Sequence, residues 1–149
     1  MYDSDEELKK SYDHLISIRG IGIVNATAMI AYSNNFKNIT SSRKLASYYG
    51  IAPFRERSGT TIDKKAMVKC YSSSMLRAYL TQAAENTIRE HGIYHDYYTR
   101  LSARGKCHGI ALNNVKNKLL HLSLSLITND MDYEENHEVL RAIRKVQAG

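Results

Sequence analysis

The chain of 149 residues has no tryptophan, one proline (Pro53) and two cysteines (Cys70 and Cys107). The cysteines lie in basic, helix-like sequence without a CxxC pair, which argues against a disulfide framework and against a zinc site and leaves free thiols in a reducing cytoplasm. The start carries Asp3, Asp5, Glu6 and Glu7 where a secretory leader would be basic and then apolar, so no leader is expected. No apolar run is long enough to span a membrane. Carboxylates and histidines at metal-ligand spacing are also missing, because the acids gather in the termini, and this sets aside a metal-dependent nuclease. None of the six histidines has an arginine three residues on, so the His-x-x-Arg pair that a tyrosine recombinase needs is absent. There is no internal repeat and no low-complexity tract.

What is present is the balance of one soluble globule, 43% hydrophobic and 24% charged. The net charge of +6 is unevenly spread, since residues 54 to 118 hold twelve Lys or Arg against five acids. The first ten residues and the stretch from Asp130 to Glu138 are acidic. A polyanion would therefore be drawn to the middle of the chain, although a solvated basic surface has the same composition.

Apolar spacing predicts an all-α domain of about six or seven helices. Ser4 and Glu7 form a capping-box signal ahead of Leu8, Tyr12, Leu15 and Ile16, and a first helix should run to about Ile16. After Gly20 and Gly22, IVNATAMIAYS reads as a second helix that buries Ala26, Met29 and Ile30. Thr40, Ser41 and Ser42 can cap a short third helix with Leu45 and Tyr48, ended by Gly50. Phe54 to Lys65 has no sustained period and reads as an exposed basic loop or hairpin. From Ser72, Ser73 and Ser74 a long helix should carry Leu76, Leu80, Ala83, Ala84, Thr87 and Ile88 as one stripe. A further helix with Tyr97, Tyr98 and Leu101 should stop at Gly105, and another should align Ala111, Val115, Leu119, Leu122 and Leu126. Glu134 to Val146 could form a last helix. The expected organisation is a single domain: a helix-hairpin-helix part over about 5–50, a serine loop and helical part over about 51–128, and an acidic linker with a tail helix over 129–149.

Three segments could carry chemistry. In SIRGIGIVNATAMI, Ile18, Gly20, Ile21, Gly22 and Ala26 fit a helix-hairpin-helix pattern: two glycines allow a tight turn whose amides approach a phosphate at the positive end of the next helix. Such a hairpin grips backbone without reading bases. The same glycines also suit a plain tight connection with Ile21 plugging the core. In GIAPFRERSGTTIDKK, Ser58 and Gly59 sit between Arg55 and Arg57 on one side and Lys64 and Lys65 on the other. A serine hydroxyl attacks phosphorus only with a base or strong positive potential beside it, which those cations could supply; Ser-Gly alone is also a common turn dipeptide. The third segment, residues 72 to 120, interleaves Arg77, Arg104, Lys106, Lys116 and Lys118 with asparagines and tyrosines, a mixture suited to phosphate contact and base stacking. Its tyrosines equally suit a core boundary.

In this order the three segments resemble the C-terminal domain of the DEDD-type insertion-sequence transposases of the IS110 class. The likeness spans roughly Leu15 to Thr128 and is carried by Gly20, Gly22, Ala26, Phe36, the LASYYGIAP stretch from Leu45 to Pro53, Ser58, Gly59, Leu76, Arg77, Ala83, Ala84, Tyr98, Gly105, Lys106, Lys118 and Leu119. One departure is Ser72 and Ser73, where many members place Gly-Asn before the Leu-Arg pair. The resemblance implies DNA strand cleavage and joining in which Ser58 is the nucleophile and forms a covalent protein–DNA link. It also implies a separate RuvC-like domain whose acidic cluster holds Mg2+, a homo-oligomeric full-length protein, insertion-sequence ends and target DNA as partners, and a structured guide RNA. No cofactor is expected in this chain, and without the acidic domain it is expected to be inactive alone. The rival reading is a non-catalytic helix-hairpin-helix module that docks DNA or RNA.

Overall fold

A computed structural model describes residues 2–37, 39–51 and 74–134. Six helices are formed there: α1 (Tyr2–Ile16), α2 (Ile23–Tyr32), α3 (Ser42–Tyr48), α4 (Ser74–Arg89), α5 (Ile93–Ala103) and α6 (His108–Asn129). No strand occurs among the described residues, and none of these helices is long and apolar enough to cross a membrane. The expected basic loop and the expected tail helix lie outside the described residues.

α6 organises the core. It packs against α1, α3, α4 and α5, while α2 is held between α1 and α4. A helix with four neighbours must be apolar over most of its circumference, and α6 buries Leu112, Leu120 and Ser123 in addition to Ala111, Val115, Leu119 and Leu126. The Ser123 hydroxyl is accommodated by donating to Leu119 O at 2.7 Å, so no polar group is stranded. Leu122, expected on the buried stripe, is half-buried. On α4 the expected stripe of Leu76, Leu80, Ala83, Ala84 and Thr87 is buried, with Ile88 at its edge.

Helix ends follow local chemistry. Ser41 caps α3 by accepting from Lys44 N at 3.2 Å. Gly50 and Gly105, at φ +68° and +85°, end α3 and α5: Ile51 N reaches Ala46 O, and Lys106 N reaches Leu101 O, each closing the last turn. Asp130 takes the same left-handed conformation after α6, where Met131 N reaches Leu126 O. α1 departs from expectation by starting at Tyr2, which puts Ser4 inside the helix instead of at its cap.

Past α6 the chain folds back onto the end of α1. His14 donates from Nδ1 to Asp132 at 2.8 Å and from Nε2 to Asp130 at 3.0 Å, and Tyr133 N donates to Ser17 Oγ at 2.8 Å. Burial of His14 works against its charge, but the two carboxylates outweigh it and hold the imidazole pKa above its usual 6.5. The Asp130 carboxyl is correspondingly held down by the His14 hydrogen bond.

Candidate nucleic-acid interface

The glycine hairpin between α1 and α2 is built from the inside out. Leu15, Ile18 and Ile21 are buried, and Ile18 N to Leu15 O (3.1 Å) and Ile21 N to Ile18 O (3.2 Å) tighten the chain between them. Ile21 thus plugs the core. Gly20 takes φ +94° and lies so close to α4 that an added Cβ would stand 2.3 Å from Thr87 Oγ1 and 2.8 Å from Thr87 N. The single Thr87 Oγ1 proton is shared between Ala83 O at 2.7 Å and Arg19 O at 3.1 Å, which ties the turn to α4. Gly22 is different: it is exposed, with nothing within 4 Å of where a Cβ would be. As the residue before α2 it offers no side-chain cap, and the first turn of α2 holds no acid. The amides at the start of α2 therefore present a positive end with no carboxylate in the helix's own first turn.

A second feature is the seam where α4 and α6 run antiparallel. At one end Glu85 on α4 accepts from His108 Nε2 at 3.0 Å, and Tyr98 Oη on α5 donates to His108 Nδ1 at 2.6 Å. The carboxylate on Nε2 fixes the ring tautomer that leaves Nδ1 to accept from the phenol. About two turns away on both helices, Arg77 and Lys116 face one another electrostatically. Burial first, and then the Arg77 charge, push the Lys116 pKa below its usual value, with Glu85 acting the opposite way. Lys116 and Arg77 are thus two half-buried cations whose like charges act on one another across the seam.

The same end of the seam holds both flanks of the serine segment. Asn113 Nδ2 on α6 donates to Ile51 O at 3.4 Å, and α4 begins at Ser74, one turn before Arg77. Asn113 and Lys116 are likewise one turn apart on α6. Ser58, Gly59, Arg55, Arg57, Lys64 and Lys65 lie outside the described residues.

The remaining expected contacts spread over the α5–α6 side. Arg104 and Lys106 are exposed on either side of Gly105, and Lys118 is exposed with its Nζ 4.7 Å from the centre of the Tyr97 ring. Arg100 also approaches that ring, at 5.9 Å. The structure thus groups Arg77 with Lys116 and Gly20 with Gly22. The Glu85–His108–Tyr98 chain was not anticipated from sequence: its members come from three helices, and no spacing along one segment brings them together.

The fold and site define an all-helical domain with a glycine hairpin clamped to a cation-bearing helix pair. The IS116/IS110/IS902 transposase family matches residues 12–99, from the last third of α1 into α5, and the chain belongs to that family. It is 26% identical over 120 residues to the insertion element IS110 uncharacterized 43.6 kDa protein of Streptomyces coelicolor, which covers 80% of this chain and 29% of that protein. It is 25% identical over 134 residues to the pilin gene-inverting proteins of Moraxella lacunata and Moraxella bovis, covering 89% of this chain and 42% of each. The chain thus spans less than half the length of these relatives. No solved structure matches it.

Proposed function

We propose that this domain binds DNA and supplies the serine nucleophile of a transposase or recombinase in the cytoplasm. The observation that carries the reading is the position of Ile51 and Ser74, the two flanks of the segment containing Ser58, beside Arg77 and Lys116. In the proposed step the Ser58 hydroxyl releases its proton to solvent as its oxygen forms a bond to a DNA phosphorus. The bond from that phosphorus to one bridging oxygen breaks, and the freed strand end takes up a proton. Arg77 and Lys116 stabilise the extra negative charge on the non-bridging oxygens in the transition state. The amides after Gly22, with Arg55, Arg57, Lys64, Lys65, Arg104, Lys106 and Lys118, hold flanking phosphates. The relatives named for inverting a pilin gene support strand rearrangement as the chemistry.

The Mg2+ that the resemblance assigns to an acidic domain does not fit the described residues, which contain no group of three or more His, Cys, Asp or Glu able to hold a metal. A homo-oligomer and a structured guide RNA belong to the same proposal for the full-length protein. In that full-length context, with magnesium and DNA bearing the element's ends, Ser58→Ala abolishes the covalent protein–DNA adduct and leaves DNA binding intact. An adduct that survives the substitution removes Ser58 from the mechanism and favours the non-catalytic binding module.

A further inference from the structure

The Glu85–His108–Tyr98 chain has no part in the Ser58 step, yet it has the form of an activated nucleophile. The Tyr98 hydroxyl donates to His108 Nδ1 at 2.6 Å, and His108 Nε2 donates to Glu85 Oε1 at 3.0 Å. The two rings meet edge to face, 5.7 Å between centres and 75° apart in plane. A phenol is a weak nucleophile until a base takes its proton, and a base within hydrogen-bond reach works best when a third group fixes its tautomer and orientation. All three parts are here.

Each part is set by rigid backbone. Tyr98 and His108 come together across the short turn from α5 to α6, which closes through Gly105 N to Ser102 O at 3.0 Å and Lys106 N to Leu101 O at 3.2 Å. Glu85 follows the buried Ala83 and Ala84 on α4, so its place on the helix is fixed by the core. The chain itself lies at the surface: the His108 and Glu85 side chains are 57% and 32% exposed, and Tyr98 is half-buried. An exposed pair of this kind adds little to stability. Its openness lets a substrate reach the phenol oxygen.

The surroundings select the electrophile. Arg104 and Lys106 are exposed in the turn that leads to His108, and Lys116 lies near enough to Glu85 to feel its charge. The first turn of α6, which His108 begins, holds no acid. Such a setting draws an anionic ester in preference to a neutral one. The choice of a phosphodiester rests on the DNA-binding reading, while the three-residue chain stands apart from it and from Ser58.

We propose that Tyr98 is a second nucleophile, with His108 as its general base and Glu85 as the positioning residue, and that it accepts a phosphoryl group from a phosphodiester. The phenol proton passes to His108 Nδ1 as the Tyr98 oxygen bonds to phosphorus. The bond from phosphorus to one ester oxygen breaks, and that oxygen takes the proton from Nδ1 of the imidazolium, whose Nε2–H stays on Glu85. The products are a phosphodiester linked to Tyr98 and a free hydroxyl.

The test incubates the 149-residue chain with bis(p-nitrophenyl) phosphate, whose leaving group departs as a coloured anion while the imidazolium returns its proton to solvent. Nitrophenolate is released, and peptide mass spectrometry finds the nitrophenyl phosphoryl group on Tyr98. Tyr98→Phe, which removes only the hydroxyl, removes that adduct. His108→Ala slows its formation about 100-fold, and free imidazole restores part of the rate. Glu85→Gln slows it at least about tenfold, and Glu85→Asp recovers part of the loss. Circular dichroism is unchanged throughout, because the substituted groups are at the surface. An adduct on Ser58 with none on Tyr98, or no adduct at all, overturns the tyrosyl nucleophile; the first result supports the Ser58 step, and the second leaves that step to its own test with magnesium. A His108→Ala chain that reacts at the native rate, or is not rescued by imidazole, overturns the assigned base. Because the probe contains no DNA, a chain that binds no duplex yet forms the Tyr98 adduct sinks the DNA-binding reading and keeps this one.

Discussion

A methyl group on Gly20 would press on Thr87 at a φ of +94°, whereas one on Gly22 would meet open space at φ −91°. Gly20→Ala is therefore expected to cost about 2 kcal/mol or more in urea unfolding, through steric clash and a left-handed backbone together. Gly22→Ala should cost under about 1 kcal/mol, the usual price of alanine before a helix. Equal losses at the two positions would contradict the clamp. The two roles were not separable in the sequence, because the hairpin pattern treats both glycines alike and Thr87 enters from a helix far along the chain. Lys116 makes a second case. Its charged form is disfavoured by burial and by Arg77, so Lys116→Met should leave melting temperature unchanged or raise it while weakening DNA binding. A melting temperature that falls would show that Lys116 is held by attractions instead.

Elements differ in how plainly they could be read. α4 was legible nearly residue by residue, because its apolar stripe, Leu76 to Thr87, is set by one helical period. α3 was legible from its ends, Ser41 and Gly50. The start of α1 was not, since a capping signal at Ser4 competes with an acidic first turn that suits a helix N-terminus equally well. The return of the chain after α6 to α1 carried no local signal, because His14 and its carboxylates are paired across most of the sequence. That latch has a pH signature. The folded pKa of His14 is raised, so its stabilisation is complete below the usual 6.5 and is lost as pH rises through the folded value. Asp130 has a lowered folded pKa, so its share is present above the usual 3.8 and lost as pH falls through the folded value. Melting temperature of the native chain should exceed that of His14→Ala between those limits, with the gap closing toward alkaline pH. A gap that widens there would exclude the latch.

At the scale of the whole molecule, the all-helical character of the described residues followed from periodicity alone, but the central place of α6 did not. Four partners on one helix are a long-range outcome, visible in sequence only as a surplus of apolar residues such as Leu112 and Leu120 beyond the single stripe. The charge arrangement is also a property of the whole. With cations gathered between residues 54 and 118 and acids toward both ends, DNA affinity should fall steeply with salt, the logarithmic slope dropping by about 0.9 for each phosphate neutralised. Affinity that is flat between low and physiological salt would rule out the basic face.

Thr87, which grips the hairpin, and Arg77, which faces Lys116, stand ten residues apart on the unbroken helix α4. At 1.5 Å per residue that is a span of about 15 Å. A helix of this length works as a gauge block: the hairpin and the cation pair are held at one separation, and a duplex that engages both must offer phosphates at that interval or bend until it does.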